Sequence, residues 1–157
     1  MCRRAAVAPA PAQPERERFM HITQESDYAV RIVYCLAKNG TRRDARAISE
    51  EMCVTLRFSL KILGKLVSSG IVKSYKGNCG GYELARAAAD ITLKNVIDAV
   101  EGPYRLTRCV GEEGAGECNR GASGSCVFQR VFSDITDSIN AQLDAVSFQD
   151  LLEQGRR

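Results

Sequence analysis

The chain contains one histidine, His21, an aromatic content of only 6% and no apolar run approaching a membrane span. A single histidine excludes any zinc site that needs two within one chain, and any two-histidine acid–base scheme. Without roughly eighteen consecutive apolar residues, the sequence does not read as a membrane protein. Residues 1–18 carry Arg3 and Arg4 but no apolar signal core, so secretion is not expected and a cytoplasmic location is. No C-x-x-C occurs, no nucleotide-binding glycine motif follows a strand, and the Gly77–Gly81 turn lacks the Lys-Ser/Thr ending of a phosphate loop. With no acid–base pair apparent either, an enzyme is not expected.

What is present suits one domain with an extension: 157 residues, 45% hydrophobic and 26% charged. The net charge of +3 is modest. Seven cysteines are many for this length, and an odd number without a signal peptide favours thiol or metal chemistry over a disulfide framework. Residues 1–19 are rich in Ala, Pro and Arg, lack amphipathic periodicity and read as a disordered tail. Met20, just before the first patterned segment, is expected to be the true start.

Helical signals begin at Thr23, a capping residue, with Tyr28, Ile32 and Leu36 recurring beside Ala29 and Val33, and Asn39-Gly40 as the stop. A second helix fits Ala45 to Met52 behind Asp44, with Ala47, Ile48 and Met52 facing inward. A third fits Leu56 to Ser69 behind Thr55; Leu56, Leu60, Leu63 and Val67 are its predicted inner stripe, and Arg57, Lys61 and Lys65 its basic outer line. The segments Ile71–Tyr75 and Tyr82–Ala85, joined through Lys76-Gly77-Asn78-Cys79-Gly80-Gly81, predict a β-hairpin. Another helix runs from Thr92 to Glu101 and is broken by Gly102-Pro103. After a Gly-rich stretch over 103–126, a long amphipathic helix is predicted from Val127 to about Val146. Its stripe is Phe128, Phe132, Ile135, Ile139, Leu143 and Val146, a spacing suited to a partner helix and equally to an intramolecular core. Ser147 caps a short terminal helix.

Three helices followed by a hairpin, with the third basic on its outer face, is the order of a winged helix-turn-helix. Between Thr41 and Arg86 nine cationic residues face four acidic ones, a net +5 that exceeds the charge of the whole chain. Such a local field attracts phosphate and gives salt-dependent binding without specifying sequence. The candidate DNA contacts are Thr55, Arg57, Phe58, Lys61 and Lys65 on the third helix, with Lys76, Asn78 and Tyr82 on the hairpin. Arg57, near the helix start, is the best single candidate for a base edge. The expected class is mainly α with a small β-hairpin wing. The expected divisions are the tail 1–19, a winged helix-turn-helix over 20–102, a Cys-rich loop over 103–126, and a dimerisation helix with its C-terminal segment over 127–157.

Cys109, Cys118 and Cys126 lie in the loop before the long helix, with eight and seven residues between them. Thiolates are soft ligands that suit iron–sulfur clusters, zinc or copper(I), and intervening glycines let a backbone wrap around a cofactor. On the residues alone, a cluster, a zinc site and a bare thiol switch stay open. Of the other cysteines, Cys35 falls in the first-helix pattern and reads as core.

From Met20 to about Leu152 the chain resembles the Rrf2 family of bacterial transcription regulators. The resemblance rests on the opening MHITQESDYAVRIVYCLA, the segment RFSLKILGKLVSSGIV, the wing KGNCGGYELA, the helix TLKNVIDAVEG and the Cys loop after it. The family's wing usually reads Arg-Gly-x-x-Gly-Gly-x-x-Leu, and Lys76 stands here for the Arg. The resemblance implies a homodimer that reads a pseudo-palindromic operator in double-stranded DNA, with the long helix as dimer interface. It further implies an iron–sulfur cluster, 2Fe–2S or 4Fe–4S, on Cys109, Cys118 and Cys126. Some members place a His three residues after the third Cys, where this chain has Gln129. Others recruit an acidic residue near the partner's N-terminus, which points to Asp27 as fourth ligand.

Overall fold

The structure, a computed structural model, describes residues 22–77, 80–110 and 126–156. The tail 1–19, Met20, His21, Asn78, Cys79 and Cys118 therefore lie outside the described residues. Among the described residues six α-helices and one hairpin follow in chain order: α1 Gln24–Asn39, α2 Ala45–Glu51, α3 Leu56–Ser68, β1 Val72–Tyr75, β2 Gly81–Leu84, α4 Leu93–Glu101, α5 Val127–Asp144 and α6 Phe148–Gln154. A single 3-10 turn, Ala88–Asp90, precedes α4. Among the described residues no helix is long and apolar enough to cross a membrane.

The helix boundaries follow their capping chemistry. Thr23 accepts from the Ser26 amide and Asp44 from the Arg46 and Ala47 amides. Thr92 with Asn95 and Ser147 with Asp150 form reciprocal capping boxes. Gly40 takes the left-handed conformation, φ 63°, and returns its amide to the Leu36 carbonyl. Each of these ends a helix with groups that would otherwise be orphaned donors or acceptors.

The core forms where α1 crosses α3, α4 and α6. Ile32, Val33, Ile48, Ile62, Leu63, Leu66, Ile71, Ile91 and Val96 are buried there, together with Phe148 from α6. Phe148 reaches this core because its amide donates to the Ile91 carbonyl at 3.0 Å, while Leu93 donates to the Val146 carbonyl at 3.0 Å. The C-terminal segment is thus laid back along the start of α4.

The inner face of α3 differs from the predicted stripe. Ser59, Ile62, Leu63 and Leu66 are buried, whereas Leu56 is 37% and Leu60 45% exposed. Two apolar lines run along this helix, and contact with α1 and α2 selects the Ile62–Leu66 line; Ser59 is small enough to sit at the crossing.

The strands pair antiparallel, Val72 with Leu84 through Tyr75 with Gly81. Arg43 adds a bridge on the outer edge of β2, exchanging hydrogen bonds with Tyr82 at 2.9 and 2.8 Å. Two glycines make this possible. A Cβ on Gly81, φ +146°, would stand 2.7 Å from the Arg43 carbonyl oxygen, and one on Gly80 would stand 2.7 Å from that of Tyr75.

Candidate functional site

Helices α2 and α3 with the β1–β2 wing present the basic surface. Thr55 occupies the N-cap of α3 and makes no side-chain capping bond, so its hydroxyl faces outward with Arg57. Arg57, Lys61, Lys73 and Lys76 are all exposed. Phe58 is half-buried and meets the Tyr28 ring edge-on at 5.7 Å and 88°, which anchors α3 to α1. Tyr82 packs against the core, and its backbone carries the bridge to Arg43. These two aromatics hold the frame that presents the cations.

Lys65 is turned to a structural task. Its ammonium lies 2.8 Å from Glu25 Oε1 and donates to the Val100 carbonyl at 2.6 Å, tying α3 to both α1 and α4. Lys61 lies 3.2 Å from Glu25 Oε2. Lys65 chiefly, with Lys61, holds the Glu25 carboxyl below its usual range against the opposing effect of burial. Beside Glu25, Thr23 and Ser26 donate to the Glu101 carboxylate, which fastens the first turn of α1 to the end of α4. None of this network is legible in the sequence, because its members lie 35 to 78 residues apart.

The wing has its own cluster. Arg42 stacks on the Tyr75 ring with its guanidinium carbon 3.5 Å from the centroid, and Tyr75 donates to Glu83 at 2.5 Å. Arg42 also pairs with Glu83 at 3.6 Å. Arg43 pairs with Glu51 and donates to Asn39. Of the cations on this surface, Lys65, Arg42 and Arg43 are thus held by carboxylates, Arg57, Lys73 and Lys76 are exposed, and Lys61 is exposed while paired with Glu25.

Of the predicted cysteine ligands, Cys109 and Cys126 are described, and both are free, half-buried thiols. Thr107 Oγ1 lies 3.3 Å from Cys109 Sγ, and Gln129 donates to the Cys109 carbonyl at 2.8 Å. The residue standing in the position of the family's histidine thus joins the Cys109 backbone to the first turn of α5. Cys126 is the N-cap of α5. Among the described residues no group of three possible metal ligands converges. Asp27 is paired instead with Arg31, one turn along α1, at 2.7 Å. Cys35 lies in the core, and burial first, then Glu51, pushes its thiol up to about 11.

Helix α5 packs with one flank and leaves the other open. Thr136 is buried and accepts from the Leu106 amide at 3.4 Å, and Asn140 donates to the Tyr104 carbonyl at 3.4 Å. On the neighbouring flank Val127, Phe128, Val131 and Ile135 are exposed, Phe128 by 59%. The predicted stripe is therefore divided: Phe132, Ile139, Leu143 and Val146 are half-buried, whereas Phe128 and Ile135 face out.

The Rrf2 family profile, described as an iron-dependent transcriptional regulator, matches residues 22–154. The HTH-type transcriptional regulator IscR of Photorhabdus laumondii is 30% identical over 135 residues, covering 85% of this chain and 79% of that protein. Among solved structures, T. potens IscR matches with a TM-score of 0.67 at 22% identity, over 87% of this chain and 88% of its own. CymR, the global cysteine regulator of B. subtilis, also reaches 0.67 at 22% identity, over 87% of this chain and 98% of its own. Those two likenesses establish the winged-helix fold, and the profile establishes the lineage. With α3 and the wing as its basic surface, the chain belongs to the Rrf2 family and is a DNA-binding transcriptional regulator of the Rrf2/IscR type.

Proposed function

We propose that this regulator acts as a homodimer whose operator affinity is set by an iron–sulfur cluster at the Cys loop. Cys109, Cys118 and Cys126 would hold it, with Asp27 of the second subunit as an exchangeable fourth ligand. The observation that carries the reading is the disposition of Cys109 and Cys126: both thiols are free and half-buried, and Gln129 ties the Cys109 backbone to the helix that Cys126 caps. Two soft donors so held fit iron, in keeping with the iron-dependent description of the family. Such a group would supply iron that reacts with oxidants or nitric oxide.

The protein's own part is mechanical. Engaging Asp27 in a metal site requires that it leave Arg31, which disturbs the first turn of α1. That turn also carries Glu25, bonded to Lys61 and Lys65 of α3. A change at the Cys loop would thereby reach the DNA-reading helix, and cognate DNA must in return alter cofactor retention by the same coupling free energy. The open flank of α5, with Val127, Phe128, Val131 and Ile135, supports the dimer. In it, paired α3 helices would enter successive major grooves of a pseudo-palindrome, with Thr55, Arg57 and Lys61 at the groove and Lys76 and Asn78 at the backbone.

A second reading draws on the Asp27–Arg31 pair, which leaves that carboxylate already engaged. In it the loop holds zinc or its thiols respond directly to oxidants. Anaerobic purification with a visible spectrum and iron and sulfide assays, repeated on Cys109→Ala, Cys118→Ala and Cys126→Ala, separates the two. Broad visible absorption with matched iron and sulfide, lost in the variants, is the expected result. A colourless protein that resists reconstitution would reject the cluster.

A further inference from the structure

The solvent face of α3 carries two parallel lines. Arg57 and Lys61 form one, and Leu56, Leu60 and Gly64, each four residues from the next, form the other. The leucines are 37% and 45% exposed, although the buried face of the same helix is fully supplied by Ile62, Leu63 and Leu66. Gly64 sits in the middle of a 13-residue helix, where glycine is the least favourable residue apart from proline. The fold does not require it: a Cβ at Gly64 would meet nothing within 4 Å, whereas at Gly80 and Gly81 it would strike backbone. A helix that gives up stability for a missing side chain on its open face has its reason outside the chain.

The flanking cations identify what lies there. Arg57 and Lys61 suit phosphates on the rim of a groove, and the floor beside them must then accept aliphatic side chains. In the major groove of DNA the apolar group on offer is the thymine 5-methyl. Residues four apart on a helix are about 6 Å apart along its axis, close to two base-pair steps of roughly 3.4 Å. We propose that Leu60, together with Leu56, reads thymine methyl groups in the operator, and that Gly64 lets α3 approach the base edges closely enough for that contact. The proposal rests on the placement of α3 in the major groove.

The test uses the full-length protein. Duplexes are selected from a randomised pool, each thymine in the selected site is replaced in turn by deoxyuridine, and affinity is read by fluorescence anisotropy. Removing one buried methyl should weaken binding about fourfold at one or two thymines spaced about two base pairs apart. Leu60→Ala should lose a similar factor on the thymine site and abolish the deoxyuridine effect at one of those thymines, leaving any effect at the thymine beside Leu56. Gly64→Ala should raise the thermal midpoint by about 2–4 °C while weakening DNA binding. Deoxyuridine without effect at every position, a Leu60→Ala protein that retains the methyl preference at every thymine where wild type shows one, or a Gly64→Ala protein with unchanged affinity would each overturn the proposal. Arg57→Ala with Lys61→Ala tests the premise separately: unchanged affinity in that variant would mean that α3 is not in the groove at all.

Discussion

Glu25 ties α1 to α3 through one carboxylate, and replacing it with glutamine should expose that role. The side chain is only 19% exposed, with Lys65 at 2.8 Å and Lys61 at 3.2 Å. The two pairs differ in weight. Lys61 is 56% exposed, so its pair is screened and contributes little. Lys65 is 36% exposed and also donates to the Val100 carbonyl, so after Glu25→Gln it would remain half-buried beside neutral acceptors with no counter-charge. Leaving a cation in that state should cost about 1–3 kcal/mol, read as a lower urea midpoint at neutral pH. The pH dependence has a definite sign. The folded-state carboxyl is lowered chiefly by Lys65, so its contribution is fully present above the ordinary glutamate pKa. It is lost as pH falls below that value and through the folded one, so wild type and Glu25→Gln should converge in acid. Equal urea midpoints from neutral to acid pH would refute the assignment.

Two further substitutions test the wing and the open flank of α5. Gly81→Ala should destabilise the protein by about 1–3 kcal/mol and weaken DNA binding. Its Cβ would stand 2.7 Å from the Arg43 carbonyl at φ +146°, and chemical denaturation with anisotropy titration checks both effects. Phe128→Asp and Ile135→Asp, at positions 59% and 43% exposed, should leave subunit stability within about 0.5 kcal/mol. They should convert a dimer to monomers in light scattering; a dimeric mass in both variants would move the interface elsewhere.

Much of the architecture could be read residue by residue. Thr23, Asp44 and Ser147 each cap the helix expected of them, Thr92 caps the helix that the pattern starts on it, and Gly40 turns left-handed where Asn39-Gly40 signals a stop. The Gly80-Gly81 pair marks the hairpin, and the structure adds the reason: both glycines admit a carbonyl within a distance no Cβ tolerates. These signals are legible because each is satisfied within a few neighbouring residues. The candidate site was less so. Exposed Arg57 and Lys76 stand as the pattern predicts, but Lys65 is committed to Glu25 and Val100, and Asp27 to Arg31. A cation on a helix looks the same in sequence whether its counterion is a phosphate or a glutamate forty residues back.

The helical face of α3 shows where local pattern stops. Leu56, Leu60, Leu63 and Val67 satisfy helical periodicity as well as Ser59, Ile62, Leu63 and Leu66 do, and only the second set is wholly buried. Periodicity fixes the element and the angle between its rows. Which row faces inward depends on the surface that α1 and α2 offer, and that surface is assembled from distant parts of the chain. The same holds for Phe148, which enters the core through backbone bonds to the start of α4. Element types, caps, turns, the family and the basic character of the DNA-reading unit were present in the linear order, because each rests on contiguous residues or summed charge. The pairing of charges, the buried row of α3 and the open flank of α5 came from the tertiary structure, because each is a contest among groups that only folding brings together.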